Sequence, residues 1–112
     1  MIYDTISINK SLIPYTFSIL LGGEMYDLRI DYNKTHGFFT IGLSKDGEVV
    51  CSGEKIVYGK PLFDEVFVKG KFPSLVVIPY DLSGANNAVT FDNLTDVVQL
   101  IIDDQKVSIL NL

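Results

Sequence analysis

A chain of 112 residues suits one domain, and a 47% hydrophobic content with seven Phe and six Tyr is too apolar for a disordered segment. Nine Lys and Arg against fourteen Asp and Glu leave a formal net charge of −5, and the nearest thing to a basic cluster is Lys69 with Lys71 in "FVKGKF". Phosphate backbones demand clustered cations, so a nucleic-acid partner is excluded.

The N-terminal "MIYDTISINK" has no basic region followed by a long apolar run, so it does not read as a signal peptide. No apolar run approaches the ~20 residues of a membrane helix. The expectation is a soluble chain made in the cytoplasm with no membrane partner.

In chain order, "IYDTISINK" ahead of Pro14 reads as an edge strand. "YTFSILL" follows, joined by Gly22 and Gly23 to "MYDLRID". There Tyr26, Leu28, Ile30 and Tyr32 alternate with Asp27, Arg29 and Asp31. A period of two places one set on each face of a strand, whereas a helix would scatter the apolar set around its circumference. "NKTHG" is a loop of hairpin length, with Asn33 and Gly37 suited to positive φ. Phe39, Ile41 and Leu43 resume the alternation, and Asp46-Gly47 signals a tight turn into "EVVCSGEKIV". Four strands between Tyr15 and Val57 thus form an antiparallel meander.

The second half is less regular. Pro61 interrupts "YGKPLFDEVFVKGKFP", in which "LFDEVF" reads as one helical turn or an irregular crossing. "SLVVIPY" is a continuous apolar run, as for a strand buried on both faces. "DLSGANNAVTFDNLTD" is a polar loop, and "VVQLIIDDQKVSIL" reads as a terminal hairpin turning at "DDQK". Asn9, Asn33 and Asn93 open glycosylation-type triplets and are read as turn residues. The fold class is all-β: one small antiparallel β-sandwich or closed β-barrel, residues 1–112, with about seven to eight short strands.

Chemistry finds little support. His36 is the lone histidine, at the tip of "NKTHG", where neither a metal site nor a held base is expected. Cys51, the lone cysteine, reads as a small buried hydrophobe. The carboxylate pairs Asp64 with Glu65 and Asp103 with Asp104 point to opposite faces of a strand, and Asp27 with Asp31 flank Arg29 on a solvated face. Gly53, Gly59 and Lys60 lack phosphate-loop spacing. No catalytic, cofactor-binding or metal residues are assigned, and no cofactor.

Apolar residues nevertheless exceed one buried face: Phe38 beside Phe39, Leu20 beside Leu21, Val50 beside Val49, and Phe67 and Phe72 around "VKGK". Such a surplus fills a second core or lies at a subunit contact. The order of these pieces resembles the small plug domains of phage tail baseplates, the cyanophage baseplate plug family, from about residue 13 to 102. The resemblance rests on an apolar strand ending in a Gly turn, on Tyr26, Leu28 and Asn33, and on Phe38 and Phe39. It continues through Asp46-Gly47, Gly59 with Leu62, and Phe91 to Leu94. Tyr32 and Phe38 stand where that pattern often has an indole, and Thr95 where it commonly has glycine.

The resemblance implies a non-catalytic structural protein of a contractile tail, in the virion near the tail axis. Its implied partners are hub, tube and spike proteins, with copies of itself as a further partner. The alternative is a small ligand- or carbohydrate-binding β-domain that stacks its ligand on Tyr3, Tyr58 or Tyr80.

Overall fold

The structure, a computed structural model, describes residues 4–21, 23–63 and 76–103. Among them are seven strands, one short 3₁₀ turn at Lys10–Leu12 and no α-helix. Strands β2 (Tyr15–Leu21), β3 (Glu24–Asn33), β4 (Phe38–Lys45) and β5 (Glu48–Lys55) form a four-stranded sheet in that order. Strands β1 (Asp4–Ile6), β6 (Val76–Tyr80) and β7 (Gln99–Asp103) form a second sheet in the order β1-β7-β6. All pairings within the two sheets are antiparallel. The sheets are open and face each other, which decides for the sandwich over the closed barrel. The helical turn expected in "LFDEVF" and the terminal hairpin at "DDQK" lie outside the described residues.

Period-two patterning builds the larger sheet. Tyr26, Leu28 and Ile30 of β3 and Phe39, Ile41 and Leu43 of β4 are buried in one core cluster, which Ile6, Val77 and Leu100 of the smaller sheet complete. The same strands turn Asp27, Arg29, Asp31, Thr40 and Ser44 to the other side. A two-residue turn joins Lys45 to Glu48, with φ of 54° at Asp46 and 79° at Gly47. Positive φ at both positions matches the right-handed twist of the flanking strands, and the Asp-Gly pair tolerates it. Asn33 works differently from the expectation of positive φ. It remains in β3, and its side-chain Oδ1 accepts the His36 N–H at 3.0 Å.

The run "VVIPY" is apolar on both faces because both faces are used. Val77 joins the main core, while Ile78 pairs with Ile101 in a second cluster across the sheet. The side chains of the three triplet asparagines all serve turns. Asn9 caps the 3₁₀ turn through the Ser11 N–H, Asn33 closes the β3–β4 loop, and Asn93 Oδ1 accepts the Thr90 N–H at 2.8 Å.

Thr95 has φ of 69°, its N–H donating to Val98 O at 2.7 Å. A β-branched residue at positive φ is strained, which is the physical reason glycine suits the position after "FDNL". Relief of strain exceeds the entropy glycine costs, so Thr95→Gly should stabilise the fold by about 1 kcal/mol. A lower urea midpoint for Thr95→Gly would refute this account of the turn.

Candidate interaction surface

Part of the family pattern comes together in space. Tyr32 of β3 and Phe39 of β4 are cross-strand partners with ring centroids 4.7 Å apart, edge to face. Phe91, from the "FDNL" loop, lies 4.9 Å from Tyr32 and 5.7 Å from Phe39, nearly parallel to the latter. Lys10 ties the N-terminal turn to this cluster, its ammonium 5.3 Å from the Phe91 centroid and 2.6 Å from Phe91 O. Gly59 and Leu62 donate backbone N–H groups to Pro79 O and Val77 O, both at 2.8 Å, so residues 59–62 run along the open side of β6. The pattern is therefore a framework of aromatic packing and turns.

The titratable candidates are dispersed. His36 is exposed at the loop tip, its ring 6.3 Å from that of Phe38. Cys51 is half-buried where full burial was expected, because β5 is an edge strand with two bulges beside it. Burial pushes its thiol above the ordinary range, and the Glu54 charge adds to this. Asp27 accepts the Ser18 hydroxyl at 2.6 Å and Asp31 pairs with Arg29 at 3.0 Å, both on the outer face. Asp64, Glu65 and Asp104, and the Asp103 side chain, lie outside the described set. Among the described residues, no three His, Cys, Asp or Glu side chains gather as a metal site.

Lys45 donates to Glu24 and lies over the Tyr26 ring, 5.3 Å from its centroid. The bond to Glu24 holds the Lys45 ammonium above its usual range. Burial raises the Tyr26 phenol, with Lys45 opposing and Glu24 reinforcing the shift.

The tyrosines proposed as a stacking platform are engaged internally. Tyr58 and Tyr80 stack on each other at 5.3 Å, and the Tyr58 hydroxyl accepts the Asp81 N–H at 3.1 Å. Tyr3 falls outside the described residues. Two shallow clefts lie among the described residues. One of about 270 Å³ lies between the β3–β4 loop and residues 87–89. The other, about 170 Å³, is a dent in the outer face of the larger sheet at Gly42.

The exposed apolar side chains among the described residues include Leu12, Val57, Leu82, Phe91 and Val97 and, on that outer face, a further three. Leu20 and Met25 are cross-strand neighbours, 62% and 55% exposed, and Val49 is 65% exposed two strands away. Val49, not Val50, is the surplus residue. The bulges in β5 break its alternation and turn Val50 onto the core. Phe38 is half-buried beneath the Lys55 ammonium, 4.7 Å from its centroid. Phe67 and Phe72 lie outside the described residues.

One functional-looking residue had no role in the sequence reading. Asp81 is only 2% exposed, and its carboxylate accepts four hydrogen bonds. Ser83 donates its N–H at 2.9 Å and its hydroxyl at 2.6 Å to one oxygen, and Asn86 donates its N–H and side-chain amide, each at 2.9 Å, to the other. The Ser83 and Asn86 side-chain bonds, aided by the backbone donors, hold its pKa at about 2 against the desolvation that burial brings. The Asp-x-Ser spacing was the available signal, because an Asp side chain commonly bonds the backbone two residues on. This group organises a loop.

The described residues make a small all-β module with an aromatic and turn framework and an apolar outer sheet face. The chain belongs to the family described as cyanophage baseplate Pam3 plug gp18, whose model matches residues 3–105. That span takes in β1 as well as the region from residue 13 onward. The chain is accordingly a structural baseplate protein of a phage tail, a virion component that works against other baseplate proteins. No curated protein matches it.

Proposed function

We propose that the chain is a non-catalytic plug of a contractile tail, from a phage or a prophage-derived particle, seated near the tail axis. It is made in the host cytoplasm and incorporated into the virion as one domain. Its action is occlusion and bracing: a rigid sandwich docks on hub, tube or spike proteins and is displaced when the tail fires.

The observation that carries this reading is the division of labour among apolar residues. Tyr32 and Phe39 are spent on internal packing, with the partly exposed Phe91 laid against them, whereas Met25, Leu20 and Val49 are not needed by the core. A baseplate hub protein is the fitted occupant of that outer face.

Cryo-electron microscopy of the intact baseplate tests the location directly. In co-purification with the hub, Met25→Glu should weaken binding roughly tenfold, since a buried contact residue is replaced by a desolvated charge. Moderate salt should leave the wild-type contact intact, as screening acts mainly on exposed charges. His36→Ala and Cys51→Ala should leave infectivity unchanged. Loss of infectivity in a folded, incorporated His36→Ala particle would reopen a catalytic role.

A further inference from the structure

Among the described residues, four strands end the two sheets: β1 and β6 in one, β2 and β5 in the other. A free edge offers unpaired N–H and C=O groups to any extended chain, and proteins blunt such edges by brevity, charge, proline, bulges or a covering segment. Three of these edges are blunted. Strand β1 has 3 residues among those described. Strand β6 contains Pro79 and is flanked by residues 59–62, bonded to it through the Gly59 and Leu62 N–H groups. Strand β5 is bulged twice and carries Glu48, Glu54 and Lys55.

Strand β2 has none of these devices. It pairs with β3 one to one over its 7 residues without a bulge. No charged residue occurs from Ile13 through Gly23. On its core side Tyr15, Phe17 and Ile19 are only half-buried, and among the described residues it has no second neighbour.

We propose that this edge is an interaction site whose occupant is β2 of a second copy of the chain, running antiparallel and centred on Ser18. Backbone parity selects that register. Leu21 pairs with Glu24 with two residues of sequence between them, the spacing at which the closing pair of a hairpin is hydrogen-bonded. Alternation then turns the backbone groups of Tyr15, Phe17, Ile19 and Leu21 toward β3, and those of Thr16, Ser18 and Leu20 outward. Pairing about Ser18 sets Ser18 against itself and Thr16 against Leu20 of the second copy. The outward residues meet as hydrogen-bonded pairs, roughly six N–H···O bonds in all.

The side chains agree with the same register. Both core faces fall on one side, so Tyr15 abuts Leu21 and Phe17 abuts Ile19 of the second copy. The half-buried row of each copy is thereby covered, and two four-stranded sheets become one continuous sheet. A net charge of −5 opposes association in general. Locally the cost is small. Asp27, the partner of Ser18 on β3, is the nearest carboxylate across the pair, and the two copies' Asp27 residues sit three strand spacings, ~14 Å, apart. That exceeds the Debye length of ~8 Å at physiological salt.

This inference goes beyond docking on other baseplate proteins and is tested on the purified full chain alone, so its failure leaves the hub contact untouched. Sedimentation velocity over a concentration series should show a reversible dimer. Ser18→Lys places like charges opposite each other while leaving Asp27 as an internal partner, and should raise the dimer Kd at least about tenfold with an unchanged circular dichroism spectrum.

Register is read by cross-linking in a Cys51→Ser background. Directly paired Cα atoms lie ~5.5 Å apart, within disulfide reach. Ser18→Cys should therefore give a covalent dimer under mild oxidation, and Thr16→Cys, which faces Leu20, should not. A wild-type chain that stays monomeric throughout overturns the proposal. So does self-association that Ser18→Lys fails to weaken, or equal cross-linking by both cysteine variants.

Discussion

Phe39→Ala is expected to destabilise the protein by about 3–5 kcal/mol, the usual cost of deleting a buried aromatic side chain and leaving a cavity. Phe39 is 1% exposed and is the ring that both Tyr32 and Phe91 touch. Its removal leaves those two rings without their shared neighbour and loosens the "FDNL" loop from the larger sheet. Domains of this size are commonly stable by only about 5–15 kcal/mol, so a large share of the margin is lost. Urea denaturation should show a much lower midpoint with the slope retained, because a native core mutation changes stability more than the surface exposed on unfolding. The adjacent Phe38→Ala is the control. Phe38 points to the other face under Lys55, and its truncation should cost about 1 kcal/mol or less. Equal effects of the two would contradict the alternation of β4.

That alternation was legible in the sequence for a physical reason. The larger sheet buries one face, and every strand from β2 to β4 must then repeat its apolar residues at intervals of two. The Asp46-Gly47 turn was legible because few residue pairs tolerate positive φ at both positions. The double burial of "VVIPY" was legible because a run with no polar phase has no solvent face. What was not legible depends on contacts distant in sequence. The choice of sandwich over barrel rests on β1 pairing with β7, as in Ile6 against Leu100, and no local pattern encodes that. The bulges of β5 shifted Val49 outward and Val50 inward, with Gly53 at φ of 66° their only local sign.

The outer-face site was half legible. Leu20 stood out because it broke the alternation beside Leu21. Met25, its cross-strand neighbour, sat in an ordinary polar-face position and became significant only once the register joined the two. The bareness of the β2 edge was likewise present in the sequence as an uncharged stretch, but its meaning required knowing that β2 is terminal in its sheet and that the other ends are blunted.

Acid should loosen the loop that begins at Asp81, and the sign follows from the direction of its shift. The folded state holds the Asp81 pKa at about 2, below the ordinary 3.8. A depressed carboxylate binds protons less readily when folded than when unfolded. Its contribution to stability is therefore complete above about pH 4 and is lost as pH falls through 2. Protonation turns one acceptor oxygen into a hydroxyl facing the N–H and side-chain donors of Ser83 or Asn86. Asp81→Asn makes the same change at every pH, since an amide nitrogen then faces those donors. The variant should melt several degrees below wild type at neutral pH, and the gap should close steadily from pH 4 toward pH 2. Other carboxylates titrate in that window in both proteins, so the difference between the two melting profiles is the readout. Parallel profiles across that range would show that the Asp81 carboxylate does not hold the loop. Because Tyr58, which accepts the Asp81 N–H, also stacks on Tyr80 at the end of β6, loosening there should reach the smaller sheet before the meander. Protection from hydrogen exchange should accordingly be lost at residues 83–86 and at Tyr80 as pH falls from about 4 toward 2, while Leu28, Ile41 and Leu43 remain protected.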